Sequence, residues 1–184
     1  FFKQAQHSFI MFYSKLAELY EELEKTPSRL EKTSILANFF KKISEYSQIT
    51  LLLQGRVFLP GDPREIGIAS QLILKSLVLA SGKTTEFVHQ VWRKTGDLGE
   101  TARQLFTKKS QATLTRSPLT TEKVFKNLQQ LATMEGQGTV HRKLTLIAEL
   151  LTQATPTEAK YIARTLIGDL RTGAGEPTIR DALV

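Results

Sequence analysis

Apolar residues recur three and four positions apart through most of the chain, the spacing that places them on one face of an α-helix. The short apolar run at 49–53 is compatible with a strand, but the neighbouring helical patterns and Gly55 favour a buried helix end. The pattern predicts an all-α fold, a single globular domain of about ten or more helices built from packed helical hairpins. The most regular stripe consists of Ala159, Ile162, Ala163, Leu166, Ile167 and Leu170.

Residues that cap helices separate these stripes. Thr155 and Glu158 can form a capping box, in which the hydroxyl and the carboxylate each accept a backbone N–H at the helix start. Ser28 and Glu31 predict a second box, at the start of a helix whose buried side runs from Leu30 to Ile43. Further helices are predicted from about Ile66 to Ala80, from Thr84 or Thr85, and from Thr120 or Thr121 to Gly136.

The segment after the regular stripe combines glycines with an arginine. The helix is expected to stop at Gly173 and Gly175, and a new helix is expected to begin at Pro177. Glycines beside a cation allow a bulky anionic partner, such as a nucleic-acid backbone, to approach the main chain closely. An ordinary glycine cap between two helices explains the same residues, and both interpretations stay open. The second face of the helix is predicted to be basic and to carry Lys160, Arg164, Gly168 and Arg171.

Three other places offer cations or glycines to a phosphate backbone. The exposed side of the second helix is expected to carry Arg29, Lys32 and Lys42. A Gly-Asp turn with Gly96 and Gly99 echoes Gly168 and its aspartate, and is interpreted as one of two similar turns facing the two strands of a duplex. A helix start after Gly138 is either a phosphate cradle or a solvated first turn, and its residues are Thr139, Arg142 and Lys143.

Composition narrows the class of protein. The 184 residues are 41% hydrophobic, enough for one well-buried core, and contain no cysteine, which excludes disulfides and thiolate chemistry. The net charge is +7, and the excess is local: residues 101–150 hold eight Lys or Arg against three acidic residues, which favours a polyanionic partner. The longest apolar run, around 72–80, is far too short for a bilayer, and the cytoplasm is the default location.

Three runs carry a resemblance to a known family: the C-terminal run at 159–176, the run at 96–100, and an early run made of residues 51–55, 57, 58, 60 and 64–68. They resemble, respectively, the end, the middle signature and the early signature of the N-terminal DNA-binding domain of ATP-dependent DNA ligases of the archaeal and eukaryotic replicative type. The likeness covers Met11 to Val184, in the family's order. Residues 1–10 are interpreted as an N-terminal extension or a cloning remnant.

The resemblance implies a domain that grips nicked double-stranded DNA, without base specificity, for nick sealing in replication, repair and recombination. The positions expected to contact DNA are Gly168, Arg171, Thr172, Gly173, Gly175, Arg164, Thr139, Arg142, Lys143, Arg29, Lys32, Gly96 and Gly99. The alternative function is a helical protein-interaction or scaffold module with an incidental basic face. The expected location becomes the nucleoid if the protein is archaeal and the nucleus if it is eukaryotic.

No catalytic or metal site is expected in these residues. Relatives attach AMP to the lysine of a Lys-x-Asp-Gly motif, which no lysine here begins, and the three histidines are scattered. The resemblance implies ATP and Mg²⁺ for the catalytic region of the parent enzyme, with adenylation and OB-fold domains as partners. This chain alone is predicted to be inactive.

A sliding clamp is a further partner that the resemblance suggests. Archaeal relatives can carry a glutamine followed by an aromatic pair in the loop at 108–118; here Gln111 is followed by Leu114 and Thr115, so the aromatic anchors are missing. Gln6, Phe9, Phe12 and Tyr13 match the clamp-binding spacing as well, but Phe12 and Tyr13 also begin the first helix's apolar stripe, which is the favoured interpretation.

Overall fold

A computed structural model describes residues 10–44, 46–107 and 117–184. Ten helices and no strand occur in this part of the chain, so the predicted all-α class is confirmed. The bounds are α1 Tyr13–Lys25, α2 Arg29–Phe40, α3 Ser47–Leu53, α4 Ser70–Ser81, α5 Thr85–Thr95, α6 Leu98–Thr107, α7 Thr121–Thr133, α8 Thr139–Gln153, α9 Pro156–Ile167 and α10 Glu176–Leu183.

The helices are arranged around α9. Helices α1, α4 and α6 pack on α9, α8 packs on α4, and α10 packs on α2. Tyr20 of α1 joins two parts of this core: its hydroxyl donates to the Leu52 carbonyl at 2.8 Å, and its ring lies 5.0 Å from the ring of Tyr161. Consecutive pairs, α5 with α6 and α7 with α8, pack together as helical hairpins, as predicted.

The predicted buried apolar face of α9 is confirmed, since Ala159, Ile162, Ala163 and Leu166 are fully buried, but the prediction of a basic surface face was wrong. Every residue from Glu158 to Leu166 is buried, including Lys160 and Arg164, which are 5% and 4% exposed. Neighbouring helices cover all sides of α9, so its polar residues face carboxylates of α1 and α6 rather than water. A helix that is buried all round must satisfy its charged groups internally.

Most of the predicted helix starts are confirmed. Thr155 and Glu158 form the reciprocal capping box, and Thr84 and Thr120 cap α5 and α7. Ser28 accepts the amide of Glu31 at 3.4 Å. The region 49–53 is helical and buried on one side, as expected.

Four boundaries or faces differ from the predictions. Helix α9 ends at Ile167, with Gly168 as its left-handed cap, instead of stopping at Gly173 and Gly175. Residues 66–69 are not helical: the Ile68 amide donates to the carbonyl of Leu166 at 3.0 Å, and α4 begins only at Ser70. Helix α7 ends at Thr133, before Gly136. Leu30 is 82% exposed, because α2 turns Leu36 and Phe40 inward instead.

The first residues of the described chain pair with a distant loop. The Tyr13 amide donates to Leu119 at 2.8 Å and the Thr121 amide donates to Met11 at 2.8 Å, which forms an isolated bridge rather than a sheet. This pairing buries Tyr13 at 1% exposure, while Phe12 stays 45% exposed. Tyr13 is therefore a core residue, which agrees with the interpretation favoured over a clamp peptide.

Within the described residues, every helix is too short or too polar to cross a bilayer.

Candidate nucleic-acid interface

The turn between α9 and α10, residues 168–175, has an unusual backbone. Gly168 ends α9 in the left-handed region at φ 79°, and Gly173 repeats that conformation at φ 65°. Arg171 also has a positive φ, 58°, and is the only residue other than glycine to do so in the described chain. A left-handed conformation costs an ordinary residue about 1–2 kcal/mol, so side-chain contacts must hold Arg171 there.

Two aspartates hold the Arg171 guanidinium. Nη1 donates to Asp97 Oδ2 at 3.0 Å, and Nε donates to Asp169 Oδ2 at 2.6 Å. The two Gly-Asp turns that echo each other in sequence therefore meet around one arginine. The side chain of Arg171 remains 47% exposed, so its outer edge is accessible from solvent.

Lys32 of α2 holds the second half of the turn by a hydrogen bond from inside the fold. Its ammonium donates to the Thr172 carbonyl at 2.7 Å, and the residue is only 8% exposed. The prediction that Lys32 lies on the exposed side of α2 was therefore wrong. A Cβ at Gly173 would lie 2.3 Å from Lys32 Nζ, so a side chain there would displace the Lys32 ammonium, and the positive φ of 65° also favours glycine. Arg29 is exposed and pairs with Asp181 of α10 at 2.7 Å.

Arg164 lies in a buried ionic cluster beside the turn, which corrects its predicted place on a basic surface. Its Nη2 donates to Asp97 Oδ2 at 2.6 Å and its Nη1 to Glu24 Oε2 at 2.9 Å. Lys160 approaches Glu21 at 2.9 Å and Glu24 at 3.0 Å. These cations stabilise the packing of α1, α6 and α9, and their charges are already matched by carboxylates.

The titration of this cluster is set by its contacts. Burial would raise the pKa values of Glu21 and Glu24, but hydrogen bonds from Lys160 to both, from Lys25 to Glu21 and from Arg164 to Glu24 lower each to about 2. Asp97 also has a lowered pKa: burial opposes the charged form, and the hydrogen bond from Arg164 more than offsets it. All three carboxylates are therefore ionised at neutral pH.

Asp97 also caps the N-terminus of α6. Its Oδ1 accepts the amides of Gly99 at 2.7 Å and Glu100 at 3.1 Å. Gly99 lies so close to α9 that a Cβ there would be 2.6 Å from Arg164 Cγ and 2.7 Å from the Lys160 carbonyl oxygen. Gly99 is thus a residue of the helix–helix contact, while Gly96 is the exposed left-handed cap of α5 at φ 66°.

A groove of about 320 Å³ runs along the turn. One wall is the turn itself, from Leu170 to Glu176, and the other is the end of α3 with Leu53, Gln54 and Arg56. Arg56 was not among the predicted site residues. Gly55 and Val57 on either side of Arg56 belong to the early run that resembles the ligase family, but Arg56 itself was not among the residues of that run, and no helical or glycine pattern marked it.

The loop beyond Arg56 lines a second depression, of about 580 Å³, that reaches Thr165 and Gly168. Arg64 is fixed there: it pairs with Asp62 through Nε at 2.9 Å and Nη2 at 2.6 Å, and its guanidinium carbon lies 4.0 Å from the centre of the Phe58 ring. Its charge is therefore committed within the loop.

The predicted cradle at the start of α8 is separate from the turn. Arg142 Nη2 donates to the Glu135 carbonyl at 2.9 Å, and the Thr139 hydroxyl donates to the Gly136 carbonyl. Arg142 is exposed and Lys143 is half-buried. In the described residues no hydrogen bond or ion pair joins this helix start to residues 168–175. Gln111 and Leu114, like Gln6 and Phe9, lie outside the described residues.

Comparison with known proteins identifies the family. Residues 11–184 match the family described as DNA ligase N terminus. The chain belongs to this family. It is 40% identical over 176 residues to a DNA ligase of Methanosphaera stadtmanae, with 93% of this chain and 32% of that protein covered. A DNA ligase of Methanobrevibacter smithii is 40% identical over 175 residues, and one of Methanopyrus kandleri 39% over 176, each covering 94% of this chain and 32% of the relative.

The chain thus spans about a third of the length of these relatives. The resemblance seen in its sequence runs is confirmed.

Proposed function

We propose that this chain is the DNA-binding domain of an ATP-dependent DNA ligase and holds nicked duplex DNA through the turn at 168–175. Adenylation and OB-fold domains of the parent enzyme would carry out nucleotidyl transfer with ATP and Mg²⁺ during nick sealing in replication, repair and recombination. Family membership supports a ligase role, since the similar archaeal proteins are named DNA ligase.

The observation that carries the proposal is the thin, preformed backbone of the turn. Three left-handed residues, Gly168, Arg171 and Gly173, shape it, and the glycines present no side chain toward an incoming ligand. The minor groove of B-DNA is about 6 Å wide, so an inserted protein segment must be narrow. Contacts to the sugar–phosphate walls would fix position without reading base sequence, as nick sealing on any sequence requires.

The turn is also fixed before DNA arrives. Lys32 supports Thr172 from within the fold, and Asp97 anchors Arg171. A segment held in its bound shape loses little conformational freedom on binding, which favours affinity. The half-exposed guanidinium of Arg171 would face phosphate oxygens in addition to its aspartates.

The alternative function is a helical protein-interaction module. The salt dependence of binding affinity distinguishes it from DNA binding. Binding that neutralises Z phosphates should give a plot of log affinity against log salt with a slope of about −0.9Z, whereas an apolar protein interface responds weakly. Titration of the 184-residue chain with labelled nicked duplex at several salt concentrations tests this directly. Affinity that is weak and independent of salt would contradict the proposal.

Two variants locate the surface. Gly173→Val should weaken DNA binding, because the added Cβ strains the turn and pushes on Lys32. Gly82→Val is its matched control: Gly82 has nearly the same φ, 66° against 65°, but a Cβ there meets nothing within 4 Å. Arg171→Ala should weaken binding on all sequences and make the salt slope shallower by about one unit. Unchanged binding by both turn variants, with loss in an Arg142 and Lys143 double variant, would place the surface at α8.

The chain by itself is proposed to be catalytically inactive. It lacks a Lys-x-Asp-Gly sequence, so incubation with radiolabelled ATP and Mg²⁺ should leave the protein unlabelled. Covalent labelling would contradict this part of the proposal. A clamp contact at Gln111 and Leu114 stays a prediction.

A further inference from the structure

The cations around the groove along the turn differ in whether a protein carbonyl or carboxylate already pairs with them. Lys32 is buried and donates to the Thr172 carbonyl, while Arg171 pairs with Asp97 and Asp169. Lys32 has almost no exposed surface for a ligand, and Arg171 can bind a phosphate only in addition to its two aspartates. A phosphate that approached Arg171 would meet the field of two carboxylates as well.

Arg56, on the opposite wall, is different. It is exposed, and in the described part of the chain no carboxylate oxygen lies within 4.0 Å of its guanidinium. Glu176 also lines the groove, but it forms no ion pair with Arg56. Arg56 is therefore the groove's cation without a carboxylate partner.

The backbone that carries Arg56 is anchored on both sides. Its amide donates to the Leu51 carbonyl at 2.9 Å, which closes the end of α3. The next residue, Val57, is 2% exposed, and its carbonyl accepts the side-chain amide of Gln129 at 3.1 Å. The arginine thus projects from a fixed point, opposite a turn that is itself fixed by Lys32 and Asp97. A preorganised cation retains more of its interaction energy with a ligand.

We infer that Arg56 is a phosphate-binding residue that clamps the DNA backbone against the turn at 168–175. The inference rests on the proposed function and adds a contact from α3 that the glycine turn does not contain. The bound group would be a phosphodiester of one strand lying in the groove, with the Arg56 guanidinium donating to its oxygens. A guanidinium is suited to phosphate because its N–H groups can donate in pairs.

The test measures the salt dependence of binding to a labelled nicked duplex for the parent chain, Arg56→Gln, Arg56→Lys and Lys15→Gln. Loss of one phosphate contact should make the slope of log affinity against log salt shallower by about 0.9 in Arg56→Gln. Arg56→Lys keeps the charge and should retain the parent slope. Lys15→Gln makes the same charge change at an exposed residue outside the groove and should match the parent.

The outcomes separate the two claims. A parent chain that binds with a steep slope, together with an Arg56→Gln slope equal to it, overturns the role of Arg56 and leaves the proposed function standing. A parent chain that binds no nicked duplex at any salt concentration overturns both. Equal thermal unfolding midpoints for parent and Arg56→Gln are expected, because the arginine has no carboxylate partner to lose. A lowered midpoint that accounts for the binding loss would contradict the inference and assign Arg56 a structural role.

Discussion

The two Gly-Asp turns begin alike and end in different environments. Gly96 and Gly168 each end a helix in the left-handed region, and an aspartate comes directly after each. The side chain of Asp97 is 10% exposed and that of Asp169 is 51% exposed. Asp97 contacts Arg164, Arg171 and the amides of α6, whereas Asp169 pairs only with Arg171 among the described residues.

The difference comes from the course of the chain after each turn. After Asp97 the chain enters α6 at once, and Gly99 lets that helix press against α9, which encloses the carboxylate. After Asp169 the chain forms no regular secondary structure until Glu176, so no helix encloses the Asp169 carboxylate. The Gly-Asp dipeptide at 96–97 therefore stabilises helix packing, whereas the one at 168–169 remains accessible to a ligand. Changes at the first turn should then alter stability, and changes at the second should alter DNA binding.

The largest effect is expected from acid, which acts at once on all the carboxylates paired with Lys160 and Arg164. Glu21 and Glu24 have folded pKa values of about 2, below the ordinary value of 4.5. Their contribution to the free energy of unfolding is thus present above pH 4.5 and is lost as the pH falls toward 2. Urea midpoints should be flat from pH 7 to 5 and fall steeply below that.

A double variant, Glu21→Gln with Glu24→Gln, controls for this assignment. It should be less stable than the parent at pH 7 and should lose less stability between pH 4.5 and 2. Equal pH dependence in parent and variant would show that other carboxylates govern acid unfolding. The exposed pair of Asp62 and Arg64 is screened by solvent and should contribute little.

The next largest effect separates the two aspartates directly. Asp97→Ala leaves Arg164 buried with one carboxylate fewer and removes the cap of α6, so the free energy of unfolding should fall by about 3–5 kcal/mol. Asp169→Ala removes an exposed partner and should cost less than about 1 kcal/mol. Denaturant unfolding of both variants at pH 7 checks the contrast. Similar losses would mean that burial does not distinguish the two turns.

A smaller effect is expected from the glycines. Gly99→Ala forces a Cβ to 2.7 Å from the Lys160 backbone oxygen, which cannot move without shifting α9, and should destabilise the fold by about 3 kcal/mol. Gly96→Ala has free space and loses only the left-handed preference, about 1–2 kcal/mol. Thermal or denaturant unfolding should rank them in this order, and the reverse order would contradict the close contact of α6 with α9.

The helices and their caps were predictable because their signals are local. Thr155 and Glu158 lie within one turn of each other, so the sequence contains the whole capping box. The environment of Arg164 was not predictable, since its partners Glu24 and Asp97 lie 140 and 67 residues away. The same holds for Lys32, whose acceptor Thr172 is 140 residues distant. An exposed basic face and a buried ion-pair helix have similar patterns until the neighbouring helices are known.

The candidate site divides in the same way. Its glycines and Arg171 are adjacent in sequence, and the turn they predict is present. Arg56 faces them only because α3 packs beside the turn, a tertiary relation that periodicity does not contain. The resemblance to the ligase family marked the segment around Arg56 without assigning it a role.

The smallest effect concerns Asp169 and DNA. Its carboxylate offsets part of the charge of Arg171 at the surface, so Asp169→Asn should leave the stability within about 0.5 kcal/mol of the parent and strengthen binding to nicked duplex about twofold to threefold at low salt. The gain should vanish at high salt because exposed charges are then screened. Glu122→Gln is the control, since it removes the same charge from a similarly exposed carboxylate whose partner, Lys126, lies outside the groove and outside the expected DNA contacts. Fluorescence anisotropy of both variants at two salt concentrations measures the difference.

Weaker binding by Asp169→Asn would show that the aspartate is needed to hold Arg171 in its left-handed conformation. The second turn, like the first, would then depend on its carboxylate for its shape.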